Sequence, residues 1–86
     1  MPPTIDAELR ALAAAIREIR ARPQLAQARV AAKGGVGRQS VGQSERGEIT
    51  PSVAALVGIA NGLSVPLSEL IRVYEERLRG FAAGGA

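Results

Sequence analysis

The sequence predicts an all-α protein with one domain of five helices, spanning residues 1–80. Apolar side chains recur at spacings of three and four residues, and no run alternates between apolar and polar residues as a half-buried strand does. Only 2% of the residues are aromatic, whereas the helix-forming residues Ala, Leu, Arg and Glu are abundant. Proline and glycine residues interrupt the helical pattern, so each helix can be placed in turn.

Helix 1 is predicted over about residues 6–22. Pro23 ends it, because proline lacks a backbone donor and its ring clashes with the preceding turn. One apolar stripe along this helix contains Leu9, Leu12, Ile16 and Ile19.

Helices 2 and 3 are predicted over about residues 27–33 and 38–46, and together they form a helix-turn-helix motif. Gly34 and Gly35 allow the positive φ of a tight turn between them, and Gly47 caps helix 3. The apolar residues that return to the core are Val30, Ala31, Val36 and Val41.

The polar residues of helix 3 form one face that suits the major groove of DNA. Arg and Gln are the side chains that make bidentate contacts with guanine and adenine edges. An ordinary solvated helix face is the alternative interpretation. The candidate base-contacting residues are Arg38, Gln39, Ser40 and Gln43.

Helix 4 follows a loop over residues 48–51 and has Ser52 as its N-cap, with Gly62 and Ser64 at its end. Its inward side chains are predicted to be Val53, Leu56, Val57, Ala60 and Leu63.

Helix 5 is predicted over about residues 66–79, with Pro66 at the first helical position, and residues 81–86 are predicted to be a flexible tail. Its apolar stripe contains Leu67, Leu70, Ile71, Tyr74, Leu78 and Phe81.

Composition excludes several function classes. The chain contains no cysteine and no histidine, which excludes a disulfide framework, a Cys/His zinc site and a His-dependent nucleophile. Its eight acidic residues are dispersed, so no metal, cofactor or catalytic site is predicted, and an enzyme is the least favoured class. No signal sequence or apolar run of membrane-spanning length is present, so a soluble cytoplasmic protein without membrane partners is expected.

The net charge of +3 is unevenly distributed. Residues 1–47 contain eight basic and four acidic side chains, whereas residues 48–86 contain three basic and four acidic ones. The basic half contains the motif, as affinity for DNA phosphates requires.

The run GGVGRQSVGQSERGEITPSVAALVGIANGLSVPLSEL resembles the Xre, Cro and phage-repressor family of helix-turn-helix regulators over about Leu12 to Leu70. The resemblance implies the compact five-helix, lambda-repressor-like fold of a DNA-binding regulator. Its most specific pieces are Gln27, Gly35, Glu45-Arg46-Gly47, Pro51-Ser52 and Val65-Pro66-Leu67-Ser68-Glu69-Leu70.

The resemblance also assigns roles to individual residues. It implies an ion pair between Arg20 and Glu45 that docks helix 3 against helix 1. Gln27 and Arg46 are predicted to contact phosphates. The base-contacting roles fall on the polar face of helix 3.

Several positions depart from the family pattern and indicate a weak recognition helix. Ala26 and Gly37 replace the usual capping Ser or Thr, which removes a side-chain acceptor at each helix start. Gly42 disfavours helix in the middle of helix 3, and Ser44 replaces a large apolar side chain. Glu48 stands where regulators often carry a base.

The resemblance predicts a sequence-specific transcription regulator that binds double-stranded DNA as a homodimer, more specifically a repressor. Helix 5 offers the candidate dimer surface, with fold-back onto helix 1 as its alternative. A protein-interaction module of the antitoxin type, with a protein partner, is one alternative function. Another is a degenerate member that has lost base reading. The candidate dimer residues are Tyr74, Leu78 and Phe81.

Overall fold

A computed structural model describes residues 4–83, and within them the chain forms five helices and no strand. The predicted all-α fold is confirmed. The two long helices pack against each other, and the short ones complete the core beside them. The helices are α1 (Thr4–Ala21), α2 (Gln27–Gly34), α3 (Arg38–Glu45), α4 (Val53–Gly62) and α5 (Leu67–Ala83).

A residue with positive φ follows each of the first four helices, and two of these residues are the glycines of the motif. Gly35 follows α2 with φ of 68°, and Gly47 follows α3 with φ of 70°. Beyond Gly47, the Glu48 N–H donates to the Gln43 carbonyl at 2.9 Å, which closes a Schellman motif. Both helices of the helix-turn-helix therefore end at a glycine that turns the chain sharply.

The core lies between α1 and α5 and extends under the short helices. Ser52 caps α4 as expected, because its Oγ accepts from the Ala55 N–H at 3.0 Å. Val73 is fully buried, although the predicted stripe of helix 5 did not include it. The largest fully buried apolar side chains are Ile16, Ile19, Val30, Val41, Ile59, Leu70 and Val73.

The predicted inward face of α4 is wrong at two positions. Val53 and Val57 are 71% and 40% exposed, instead of buried. Apart from Asn61, the α4 segment contains only apolar residues and glycines, so hydrophobic spacing does not distinguish its inner face. Close packing against α2 selects the face instead, because Gly58 and Gly62 of α4 lie against the backbone of α2.

The predicted bounds of helix 5 are also wrong. The helix begins at Leu67, and the carbonyl of Pro66 accepts from the Leu70 N–H, so Pro66 precedes the first helical residue. The helix continues past Arg79 to Ala83. Phe81 anchors this extension, because its ring lies 4.8 Å from the guanidinium carbon of Arg10 on α1. Residues 84–86 of the predicted tail lie outside the described part of the chain.

Candidate nucleic-acid interface

A bidentate ion pair joins the end of α1 to the end of α3. Arg20 Nε donates to Glu45 Oε2 at 2.6 Å, and Arg20 Nη2 donates to Glu45 Oε1 at 2.8 Å. The Glu45 side chain is only 3% exposed, and the Arg20 side chain is 25% exposed. The hydrogen bonds with Glu45 hold the pKa of the Arg20 guanidinium above its usual value. This pair sets the position of α3 relative to α1.

Arg17 adds a second connection that the sequence analysis missed. Its guanidinium donates to the backbone carbonyl of Glu45, one of the carbonyls that the end of α3 leaves without a helical partner. The spacing of the two arginines could have indicated this contact, because Arg17 lies three residues before Arg20 and therefore on the same side of α1. Two arginines of α1 therefore hold the last residue of α3.

Gln27, the first residue of α2, brings the third helix into this network. Its Nε2 donates to Glu45 Oε1 at 3.1 Å. Gly42 of α3 lies beneath it, since a Cβ at that position would be 3.5 Å from Gln27 Oε1. That distance is an ordinary van der Waals contact, and the closer neighbour of such a Cβ would be Arg46 Nη1 at 3.1 Å. Glu45 accepts hydrogen bonds from both α1 and α2 side chains.

The structure distributes the predicted base-contacting residues over the outer side of α3. Gln39 is exposed, and Gln43 is half-buried one turn later on the same side. Arg38 is exposed at the first position of the helix. Ser40 is half-buried, and its Oγ would be 3.7 Å from a Cβ placed at Gly37. Arg38, Gln39 and Gln43 therefore present long polar side chains to solvent, and Ser40 lies at the edge.

Both helices of the motif begin without a side-chain cap. Neither Ala26 before α2 nor Gly37 before α3 makes a side-chain capping hydrogen bond. Ser44 is buried, and its Oγ has no hydrogen-bond partner among the described residues. A buried hydroxyl without a partner disfavours the folded state. The position of α3 consequently depends more on the Arg17, Arg20 and Gln27 contacts than on its own helix propensity.

Arg46, the predicted phosphate contact after α3, forms an exposed ion pair with Glu48. Arg46 Nε donates to Glu48 Oε2 at 2.7 Å. The hydrogen bond lowers the pKa of the Glu48 carboxyl and raises the pKa of the Arg46 guanidinium. Exposed ion pairs of this kind contribute little to stability in water. A phosphate that binds Arg46 must compete with the Glu48 carboxylate.

Glu48→Gln is expected to raise the affinity of the protein for any DNA duplex severalfold, because it removes both the competing carboxylate and a charge that repels phosphate. The slope of log affinity against log salt concentration should steepen by up to about one. Fluorescence anisotropy over a salt series measures both quantities. Glu75→Gln is the matched control, since Glu75 is exposed on α5. An equal gain in both variants would contradict a local role for Glu48.

The three predicted dimer residues lie on α5 with their side chains partly covered by the same chain. Tyr74 is half-buried against the core, where burial raises the pKa of its hydroxyl. Leu78 is half-buried, and Phe81 packs against Arg10. The most exposed large apolar side chains of the described chain, Val53 and Val57, lie on α4 instead.

Among the described residues, no group of three Asp or Glu side chains is placed to hold a metal ion. No single helix among them is long and apolar enough to cross a membrane, although α4 and α5, bent by 103° at their junction, pass that test as a pair on length and composition.

Comparison with known proteins identifies one match. A family model described as helix-turn-helix matches residues 16–70, which run from the middle of α1 into the first part of α5. No curated protein and no solved structure matches the chain. The matched range includes Arg17, Arg20, Gln27 and all of α3 through Glu48.

Proposed function

Because the chain belongs to the Xre, Cro and phage-repressor family of helix-turn-helix DNA-binding regulators, we propose that it is a sequence-specific transcription repressor that acts as a homodimer. The observation that carries the proposal is the outer side of α3, where long polar side chains are held toward solvent by a helix that three side-chain contacts fix to α1 and α2. This helix enters the major groove.

Base reading is assigned to the exposed side of α3. Arg38 suits the two acceptors of guanine, and Gln39 and Gln43 suit the donor and acceptor of adenine. Ser40, at the edge of this face, contributes a short hydroxyl that can donate to either a base or a phosphate.

Phosphate binding is assigned to the start of α2 and the end of α3. Ala26 provides no side-chain cap, so the first N–H groups of α2 are available to a phosphate oxygen. Gln27 uses one hydrogen of its Nε2 for Glu45, and that group has a second hydrogen to donate. Arg46 supplies the positive charge on the other side of α3 once it leaves Glu48.

Dimerisation follows from the small size of this reading surface. One short recognition helix contacts too few base pairs for specificity, and a two-fold dimer places two such helices in successive major grooves about 34 Å apart. Repression is proposed by analogy with the family, since a dimer bound at a promoter obstructs transcription.

Selection of bound sequences from a random duplex library at physiological salt tests the proposal. A palindromic site with half-sites about one helical turn apart is expected. Enrichment of no sequence by folded protein would contradict specific reading. In that case, binding with a steep salt dependence would indicate a degenerate family member, and absence of binding would favour a protein-interaction module of the antitoxin type.

The same selection with two variants separates base reading from phosphate binding. Arg38→Ala should relax the preference at one position of the half-site, at a cost of about 1–3 kcal/mol on the preferred sequence. Gln27→Ala should weaken binding to all sequences alike and leave the preferred site unchanged. An identical effect of the two substitutions on every sequence would contradict base reading by Arg38.

A further inference from the structure

The outer face of α4 carries the exposed large apolar side chains of the described chain. Val53 and Val57 are its only large apolar side chains that are strongly exposed, and they lie one helical turn apart. Ala54 and Asn61 are exposed beside them. We define the α4 face as Val53, Ala54, Val57 and Asn61. Exposed apolar side chains that adjoin on one helix face are a surface that a partner can cover.

The α4 face also lacks charge, a property that suits contact with a second copy of the same face. The whole of α4, VAALVGIANG, contains no charged residue. In a two-fold dimer each surface meets a copy of itself, so any charge near the axis meets a like charge. An uncharged apolar face satisfies this condition without further pairing. We propose that the α4 face packs against the α4 face of a second copy, which makes it the dimer surface of the proposed regulator.

The outer side of α5 fits this role less well. Most of its exposed side chains are charged, and several already form ion pairs within the chain, such as Arg72 with Glu69 and Glu76. Arg77 pairs with Glu18 of α1. Burial of these groups in an interface would cost desolvation free energy, which the α4 face avoids.

The packing of α4 against α2 links this surface to the helix-turn-helix motif. Glycines bring α2 and α4 into backbone contact, since a Cβ at Gly34 would meet the carbonyl of Gly58. Such close packing leaves little freedom for one helix to move against the other. Two copies joined through α4 therefore hold their two motifs in one relative orientation, as binding to two half-sites requires.

The size of the face indicates a weak dimer. A helix of ten residues is about 15 Å long. One face of such a helix provides much less than the roughly 800 Å² per partner of a standard stable interface. We therefore expect dissociation in the micromolar range or weaker, with dimerisation strengthened when both copies occupy adjacent half-sites. The strengthening on DNA rests on the proposed function, whereas the contact between the two α4 faces does not.

Sedimentation velocity over a concentration series, without DNA, tests the contact. Val53→Glu places a charge in the face, and at the first position of α4 a carboxylate interacts favourably with the helix dipole, so the fold is retained. Ser68→Glu is the matched control, because Ser68 is exposed in the first turn of α5. We expect the wild type and the Ser68→Glu protein to dimerise alike, and the Val53→Glu dimer to dissociate at least about tenfold more readily.

Val57→Gln is a second, uncharged variant in the same face, and circular dichroism verifies that each variant is folded. A wild-type protein that stays monomeric at all concentrations would overturn the proposal. So would a dimer that both Val53→Glu and Val57→Gln leave intact.

Binding to oligonucleotides separates this proposal from the proposed function. Val53→Glu should bind a single half-site as tightly as the wild type and lose the additional affinity that the wild type shows for two adjacent half-sites. If the protein selects no DNA sequence at all, the sedimentation result still decides whether the α4 faces meet.

Discussion

Gly62→Ala is expected to lower the free energy of unfolding by about 3 kcal/mol, a large part of the 5 to roughly 15 kcal/mol typical of small domains. A Cβ at Gly62 would overlap the carbonyl group of Val30 in α2 and lie 2.9 Å from Val30 Cγ1. Val30 is fully buried, so neither its backbone nor its side chain can move aside cheaply. The two helices would have to separate.

The effect is large because glycines meet along the whole crossing of α2 and α4. A Cβ at Gly58 would lie 2.5 Å from Val36 Cγ1 and 2.9 Å from the Gly34 carbonyl oxygen. A shift of α4 that made room for a Cβ at Gly62 would therefore disturb the contacts of Gly58 and Gly34. This crossing also orients α4 and the turn between α2 and α3.

Urea unfolding followed by circular dichroism measures the change, and Gly80→Ala is the matched control. Gly80 lies in α5, and a Cβ there would have no neighbour within 4 Å. Its replacement should stabilise the helix by up to about 1 kcal/mol, because alanine has the higher helix propensity. The two substitutions are therefore expected to change the free energy of unfolding in opposite directions. A Gly62→Ala protein as stable as the wild type would show that α2 and α4 can separate at little cost.

Arg20→Ala is expected to lower the free energy of unfolding by about 3 kcal/mol. The substitution leaves the Glu45 carboxylate buried, with Gln27 as its remaining side-chain donor. It also removes one of the two arginines that hold the end of α3, so DNA binding should weaken more than stability alone predicts.

Arg22→Ala controls for the loss of an arginine at the same end of α1. Arg22 is 48% exposed and pairs with Glu18 and Glu69 at 3.2 and 3.4 Å, so its removal should cost less than about 1 kcal/mol. A double variant, Arg20→Met with Glu45→Leu, should recover much of the lost stability because no charge remains buried. If Arg20→Ala and Arg22→Ala destabilise equally, the Arg20–Glu45 pair does not hold α3.

Much of this architecture can be read from local patterns in the chain. The stripe of Leu12, Ile16 and Ile19 predicts α1 and its buried side, and Gly35 and Gly47 mark the ends of the two motif helices. Such signals work because helical periodicity and positive φ depend on a residue and its close neighbours in sequence. The candidate residues on α3 were found in the same way, from side-chain type and spacing.

Other features depend on residues far apart in the chain, and no local pattern contains them. Apart from Asn61, the helix α4 contains only apolar residues and glycines. Its exposed face, with Val53 and Val57, was therefore decided by the backbone contact of Gly58 and Gly62 with α2. The extension of α5 contacts α1 through Phe81 and Arg10, which lie about seventy residues apart in the chain. The ion pair between Arg20 and Glu45 was implied by family resemblance, whereas the added contacts of Arg17 and Gln27 emerged from the folded chain. Local sequence sets which segments are helical, and packing between distant segments sets which of their faces remain available for a partner.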